Sequence, residues 1–154
     1  EQLAEIAISS ARVVRLFGFE PKVAFVSHST FGQPLTSRTK HIKNAVEILK
    51  NKNVNFEFDG DMQPDVALNE EYKSLYPFSK IVGNANILIM PGQHSAAISY
   101  KMIKTLGDAK VIGPLLIGLG LPIEIAPLRS STSEIINLAS IAAYSADVID
   151  YKKN

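Results

Sequence analysis

Lys22-Val-Ala-Phe-Val-Ser27 is a short apolar run with the character of a buried strand, and helical patterns lie on both sides of it. Before it, Leu3, Ile6, Ala7, Ala11, Val14 and Phe17 recur at three- and four-residue steps, which places one apolar face on a helix ending at Gly18. After it, a loop with Gly32 and Pro34 leads to a second helix with Ile42, Ala45, Val46 and Leu49 on its face. The alternation then continues. Val54, Phe56 and Phe58 alternate as in a strand, Asp59 to Pro64 reads as a polar loop, and a helical stretch follows near Asp65 to Tyr76. Ile87-Leu-Ile-Met90 is the next strand, and the helix after Pro91 and Gly92 carries Ile98, Met102, Ile103 and Leu106 before stopping at Gly107. Strands are expected near Val111 and Ile123. The last helix opens with Ser131-Thr-Ser-Glu134, a capping box, and continues through Ile135, Leu138, Ala139, Ala142 and Ala146. Alternating strands and helices predict an α/β fold, a mostly parallel sheet with helices on both faces.

The 154 residues, 46% hydrophobic and 20% charged, suit one globular domain with a true core and exclude a disordered chain. Sixteen basic and fifteen acidic side chains nearly cancel, so no excess charge argues for nucleic acid or an anionic membrane as partner. The chain has no cysteine, which excludes disulfides, thiolate metal sites and thiol nucleophiles and fits a cytoplasmic protein. The longest uncharged run, Val111 to Ile123, is interrupted by Gly113, Pro114, Gly118, Gly120 and Pro122 and is shorter than the roughly 20 residues a membrane helix needs. The opening at Glu1, inside a helical pattern and without a signal peptide, is what a segment cut from a longer protein would show.

In an open parallel sheet, ligands gather beyond the carboxyl ends of the strands, where loops enter helix N-termini. Three loops expected there are polar: Ser27-His28-Ser29-Thr30, Gln93-His94-Ser95 and Arg129-Ser-Ser-Thr-Ser133. Backbone N–H groups, helix dipoles, hydroxyls and one guanidinium suit a phosphate-bearing ligand, and the Arg129 cluster is the best anion site of the three. Capping alone also places Ser and Thr at helix starts, and Ser131 with Glu134 satisfies that role. Other patterns carry less. Gly118-Leu-Gly120 lacks the third glycine of a dinucleotide fingerprint. His28, His41 and His94 lack the helical pairing of a zinc site and read as loop or surface residues. Asp59-Gly-Asp61 has the composition of a turn, and no Gly-x-Ser-x-Gly elbow is present for a hydrolase nucleophile.

Several stretches resemble, in order, the motifs of the phosphotransacetylase family. They are Phe17-Gly18, Pro21-Lys-Val-Ala24 with Ser27-His-Ser-Thr-Phe-Gly32, Asp59-Gly-Asp-Met-Gln63 with Asp65-Val-Ala-Leu68, Ala85-Asn-Ile-Leu-Ile-Met-Pro91, and Ile112-Gly-Pro-Leu-Leu-Ile-Gly118. Phe31-Gly32 and the Asp-Gly-x-Met-Gln stretch look closer to the version fused behind bacterial NADP-dependent malic enzymes than to the stand-alone transferase. The resemblance implies one lobe of the two-lobed phosphotransacetylase and isocitrate-dehydrogenase-like fold. Residues 1–121 would form that lobe, and residues 122–154 would return toward a lobe preceding Glu1.

It also implies acetyl-CoA or CoA as ligand. Ser27, Ser29, Thr30, Gln93, Ser95, Gly113, Pro114, Arg129, Ser130, Ser131 and Thr132 are the ligand-binding candidates, with no metal site in this segment. NADP and a divalent metal would belong to an earlier malic enzyme domain, and the family's habit of assembly implies a homo-oligomer, toward which the small residues Ala139, Ala142, Ala143 and Ala146 could contribute a close helix contact.

A working transferase of this family carries Ser-Arg-Gly shortly after the stretch that ends near Pro122, then an acidic residue. Here Pro127, Leu128 and Arg129 hold those places without gaps, and moving the register by one aligns Arg129 but leaves Leu128 where serine should be. Arg129 and Glu134 are therefore the catalytic candidates only if transfer survives. The expected role is a regulatory and assembly domain that binds an acyl-CoA. An active phosphate acetyltransferase and an assembly module without a ligand are the alternatives.

Overall fold

Successive residues of β1 (Lys22–Val26) point to opposite sides of the sheet, and both sides are apolar. A computed structural model describes residues 1–107 and 110–148. Val23 and Phe25 pack with Ala4, Ala7 and Ala11 of α1 (Gln2–Leu16) and with Ile42, Ala45, Val46 and Leu49 of α2 (Ser37–Asn51). Ala24 and Val26 join a second core with Met62, Val66, Ala67, Ile81 and Ala85 on the other face. Burial on both sides is why β1 reads as an unbroken apolar run.

β2 (Glu57–Met62) and β3 (Ile87–Ile89) both pair with β1 in parallel, giving the order β2-β1-β3. The chain leaves β1 through α2 on one face. It returns from β2 to β3 past α3 (Pro64–Leu68) on the other, with α4 (Glu70–Lys73) in the same connection. A mostly parallel sheet covered on both faces is the architecture expected from the alternating pattern.

Three details differ from that expectation. Asp59-Gly-Asp61 lies inside β2 rather than in a turn, with both aspartates buried. Asp59 is held by the N–H groups of Gly60 at 2.9 Å and Lys80 at 2.8 Å, and Asp61 accepts the hydroxyl proton of Ser29. The helical stretch after Gln63 is two short helices, because Asn69 interrupts it in an extended conformation and caps the second through Glu71 N–H. No strand forms near Val111 or Ile123 among the described residues. Pro114, Pro122 and Pro127 lack the N–H a ladder requires, and Gly113, Gly118 and Gly120 weaken what lies between.

The chain divides into two compact units, Glu1–Ser99 and Tyr100–Asn154. The division falls within α5 (Gln93–Leu106). The second unit contains α6 (Thr132–Val148), of which Leu138 and Ser145 are buried. No described helix is long and apolar enough to cross a membrane.

Candidate functional site

Within the first unit, strand order reverses between β1 and β3, since the chain runs from β1 outward to β2 and then to the opposite edge. Loops diverging from such a point leave a crevice at the carboxyl ends of the strands. A cleft of about 580 Å³ lies there. Val26, Ser27 and His28 line it from the end of β1, Met90, Pro91, Gly92, His94 and Ser95 from the end of β3, and His41 and Ile42 from α2, with Leu3 and Pro64 completing the wall.

Each wall has a local cause. The loop after β1 is pinned to the end of β2: Ser27 N–H donates to Met62 carbonyl at 2.9 Å, and Gln63 N–H donates to Thr30 Oγ1 at 3.2 Å. Ser29 is wholly buried, its hydroxyl donating to Asp61, so Ser29 and Thr30 shape the loop from behind rather than face the cleft. After β3, Gly92 precedes α5, and Ser95 Oγ turns back to the Gly92 carbonyl at 2.8 Å. As at any helix start, the first N–H groups of α5 have no intrahelical partners, a favourable setting for an anion. Gln93 is exposed on the first turn and does not line the cleft.

The three histidines, dispersed in sequence, all reach this one cleft. Their sequence positions showed no pairing because they sit on three different elements, and only the strand order brings those elements together. No Asp or Glu is among the described residues lining the cleft, so its polar lining consists of imidazoles, hydroxyls and peptide groups. No described group of histidine and carboxylate side chains has the arrangement of a metal site.

The remaining candidates belong to the second unit. Gly113 has φ +132 and Pro114 follows it in an irregular segment. Arg129 is exposed, and Ser130 N–H closes a turn onto the Pro127 carbonyl at 2.9 Å. Thr132 is the first residue of α6 and exposed.

Ser131 and Glu134 form the expected capping box: Ser131 N–H donates to Glu134 Oε2 at 2.8 Å, and Glu134 N–H to Ser131 Oγ at 3.3 Å. Glu134 Oε1 also accepts from Lys104 Nζ at 2.9 Å. These bonds, with the Ser131 backbone N–H first and the Lys104 ammonium next, hold the Glu134 carboxyl down at about 2 and raise the Lys104 ammonium above its usual range.

Residues 1–143 match the phosphate acetyl/butaryl transferase family. The chain belongs to that family. An NADP-dependent malic enzyme of Rhizobium meliloti (strain 1021) is 47% identical over 95% of this chain, which spans 19% of that protein. A phosphate acetyltransferase of Clostridium acetobutylicum is 37% identical over 95% of the chain, here spanning 44% of the relative. Among solved structures, a phosphotransacetylase from Streptococcus pyogenes superposes with a TM-score of 0.88 at 35% identity, covering 94% of this chain and 44% of its own. The chain thus spans about a fifth of the malic enzyme and less than half of the transferases.

Proposed function

We propose that this chain is the phosphotransacetylase-like domain of a multidomain NADP-dependent malic enzyme, and that it regulates and assembles that enzyme by binding acetyl-CoA or a related acyl-CoA. The observation that carries the reading is the cleft at the ends of β1 and β3. It offers helix N–H groups, hydroxyls and imidazoles to phosphate, and no carboxylate among its described lining residues opposes an anion. The similarity to malic enzymes supplies the wider setting. In that setting NADP and the divalent metal belong to another domain, the protein is cytoplasmic, the assembled form is a homo-oligomer, and residues 122–154 return toward a preceding lobe.

Loss of transfer follows from the second unit. Leu128 precedes Arg129 where the family's transferases carry serine, and Glu134 is occupied by Ser131 and Lys104. A site without its hydroxyl retains ground-state binding but loses stabilisation of the transition state. Binding then acts on the attached enzyme only through unequal affinity for its conformations.

The test is malate oxidation by the full-length protein with and without acetyl-CoA, alongside an assay for acetyl phosphate formation. The expected outcome is a ligand-dependent change in the first and no turnover in the second. Turnover abolished by Arg129→Ala would replace this reading with an active phosphate acetyltransferase. Unchanged kinetics with no acetyl-CoA binding would leave an assembly module.

A further inference from the structure

Lys73 ends α4 and is only 6% exposed, yet its Nζ has no hydrogen-bond partner among the described residues. It lines a cavity of about 200 Å³ together with Glu70, Ser74, Tyr76, Ser79 and Gly83, none of which lines the cleft at β1 and β3. An ammonium has three donors and no acceptor, and burying it unpaired is costly, so buried charges are ordinarily matched by a counter-charge. Burial is the largest influence on Lys73 and pushes its pKa down, and the neighbouring Lys22 acts the same way, while Glu70 and Glu57 oppose them from a distance.

The nearby groups are committed elsewhere. Glu57 accepts Val82 N–H at 2.8 Å, Lys22 Nζ donates to the Val82 carbonyl, and Ser74 Oγ donates to the Glu71 carbonyl at 2.6 Å. Ser79 Oγ accepts from Ile81 N–H at 3.5 Å, which leaves its own proton available to an acceptor.

We propose that this cavity binds a small oxyanion, a phosphate or a carboxylate, that pairs with the Lys73 ammonium. The pocket is open to solvent, so an ion of a few heavy atoms can enter it from the surface. Ser79 and Tyr76 offer hydroxyl donors to the remaining oxygens. Glu70, exposed on the cavity wall, holds the affinity down by like-charge repulsion.

Calorimetric titration of the full-length protein with inorganic phosphate, and separately with acetate, tests this in the wild type, Lys73→Met and Glu70→Gln. Saturable binding is expected in the wild type, weakened about tenfold or more by Lys73→Met, as removal of a buried charged hydrogen bond should do. Glu70→Gln should tighten it about two- to threefold. Because phosphate has a second possible place in the cleft, stoichiometry is read as well: Lys73→Met removes one site and leaves any other. Binding of both ions assigns the carboxylate-accepting class, and binding of phosphate alone assigns phosphate. Absence of binding, or wild-type affinity and stoichiometry in Lys73→Met, overturns the proposal. If circular dichroism shows Lys73→Met unfolded, Glu70→Gln decides, and an unchanged affinity there overturns it equally.

Discussion

The two units of the chain use similar residues to different effect. In Glu1–Ser99, apolar side chains are sorted into two cores against opposite faces of three strands. In Tyr100–Asn154, apolar side chains are at least as frequent, but Ile112, Leu121, Ile123, Ile125, Leu128, Ile135 and Ile136 are all exposed. The difference is the sheet. A strand gives alternate side chains two surfaces to bury and satisfies its backbone through its neighbours, whereas an irregular segment of glycine and proline does neither. Apolar content alone therefore does not make a core; hydrogen-bonded neighbours must hold the backbone where the side chains can meet.

The sharpest way to break this comparison is to truncate one large side chain in each unit. Phe25 is wholly buried in β1, the central strand, and Phe25→Ala should cost about 3–5 kcal/mol in urea unfolding of the chain. Leu128 is fully exposed, and Leu128→Ala should change stability by no more than about 0.5 kcal/mol. Comparable losses from both would show that the second unit depends on its apolar surface as much as the first.

A smaller contrast comes from glycine. Gly60 has φ +150 inside β2, and a Cβ there would stand 2.7 Å from the Phe25 carbonyl oxygen and 2.8 Å from Phe25 Cβ. Gly60→Ala should therefore cost about 1–3 kcal/mol from the backbone conformation, with the collision against β1 added. Gly120 meets nothing within 4 Å, so Gly120→Ala should be neutral or stabilise by up to about 1 kcal/mol through the unfolded chain. Equal thermal midpoints for the two variants would refute the close packing of β2 on β1.

The same contrast explains what could be read from sequence. The faces of α1 and α2 and the runs at Val23–Val26 and Ile87–Ile89 were legible because their patterns are the direct consequence of burial, whereas α5 was legible from its periodicity alone, its Ile98, Met102, Ile103 and Leu106 being exposed. β2 was misplaced, since Asp59, Gly60 and Asp61 have turn chemistry and become strand residues only when Lys80 N–H and Ser29 hydroxyl arrive from elsewhere. The strands expected near Val111 and Ile123 do not form among the described residues, because apolar runs report a tendency to bury, not a ladder. At the candidate site, Ser27 and Ser95 could be located by following the ends of β1 and β3. The meeting of His28, His41 and His94 could not, because it depends on the order β2-β1-β3, which no local pattern encodes.

The gentlest test uses acid, and it separates the units by where protection is lost. Glu134 has its carboxyl held at about 2, against an ordinary value of 4.5, by the Ser131 backbone N–H first, then by Lys104 and the Ser131 hydroxyl. A lowered folded-state pKa means that the ionised group stabilises the fold above the ordinary value and that this contribution is lost as pH falls through 4.5 toward about 2. Protonation releases the Lys104 bond and weakens the box that caps α6, so fraying should begin at that helix start.

Glu5, on α1, is also lowered, by its bond to Lys52 Nζ at 2.8 Å, so acid acts on it as well. A whole-chain signal would mix the two. Residue-resolved hydrogen exchange, expressed as protection factors, avoids this. Protection at Ile135 to Leu138 should fall between pH 4.5 and 2 in the wild type and stay level in Glu134→Gln, whose amide keeps the acceptor for Ser131 N–H without titrating. Protection at Val23 to Phe25 should hold through the same interval in both, because two cores enclose β1 and the Glu5–Lys52 pair lies exposed at the surface. Parallel loss at both places in the wild type would mean that α6 melts only with the whole chain, and the two units would then be one cooperative structure.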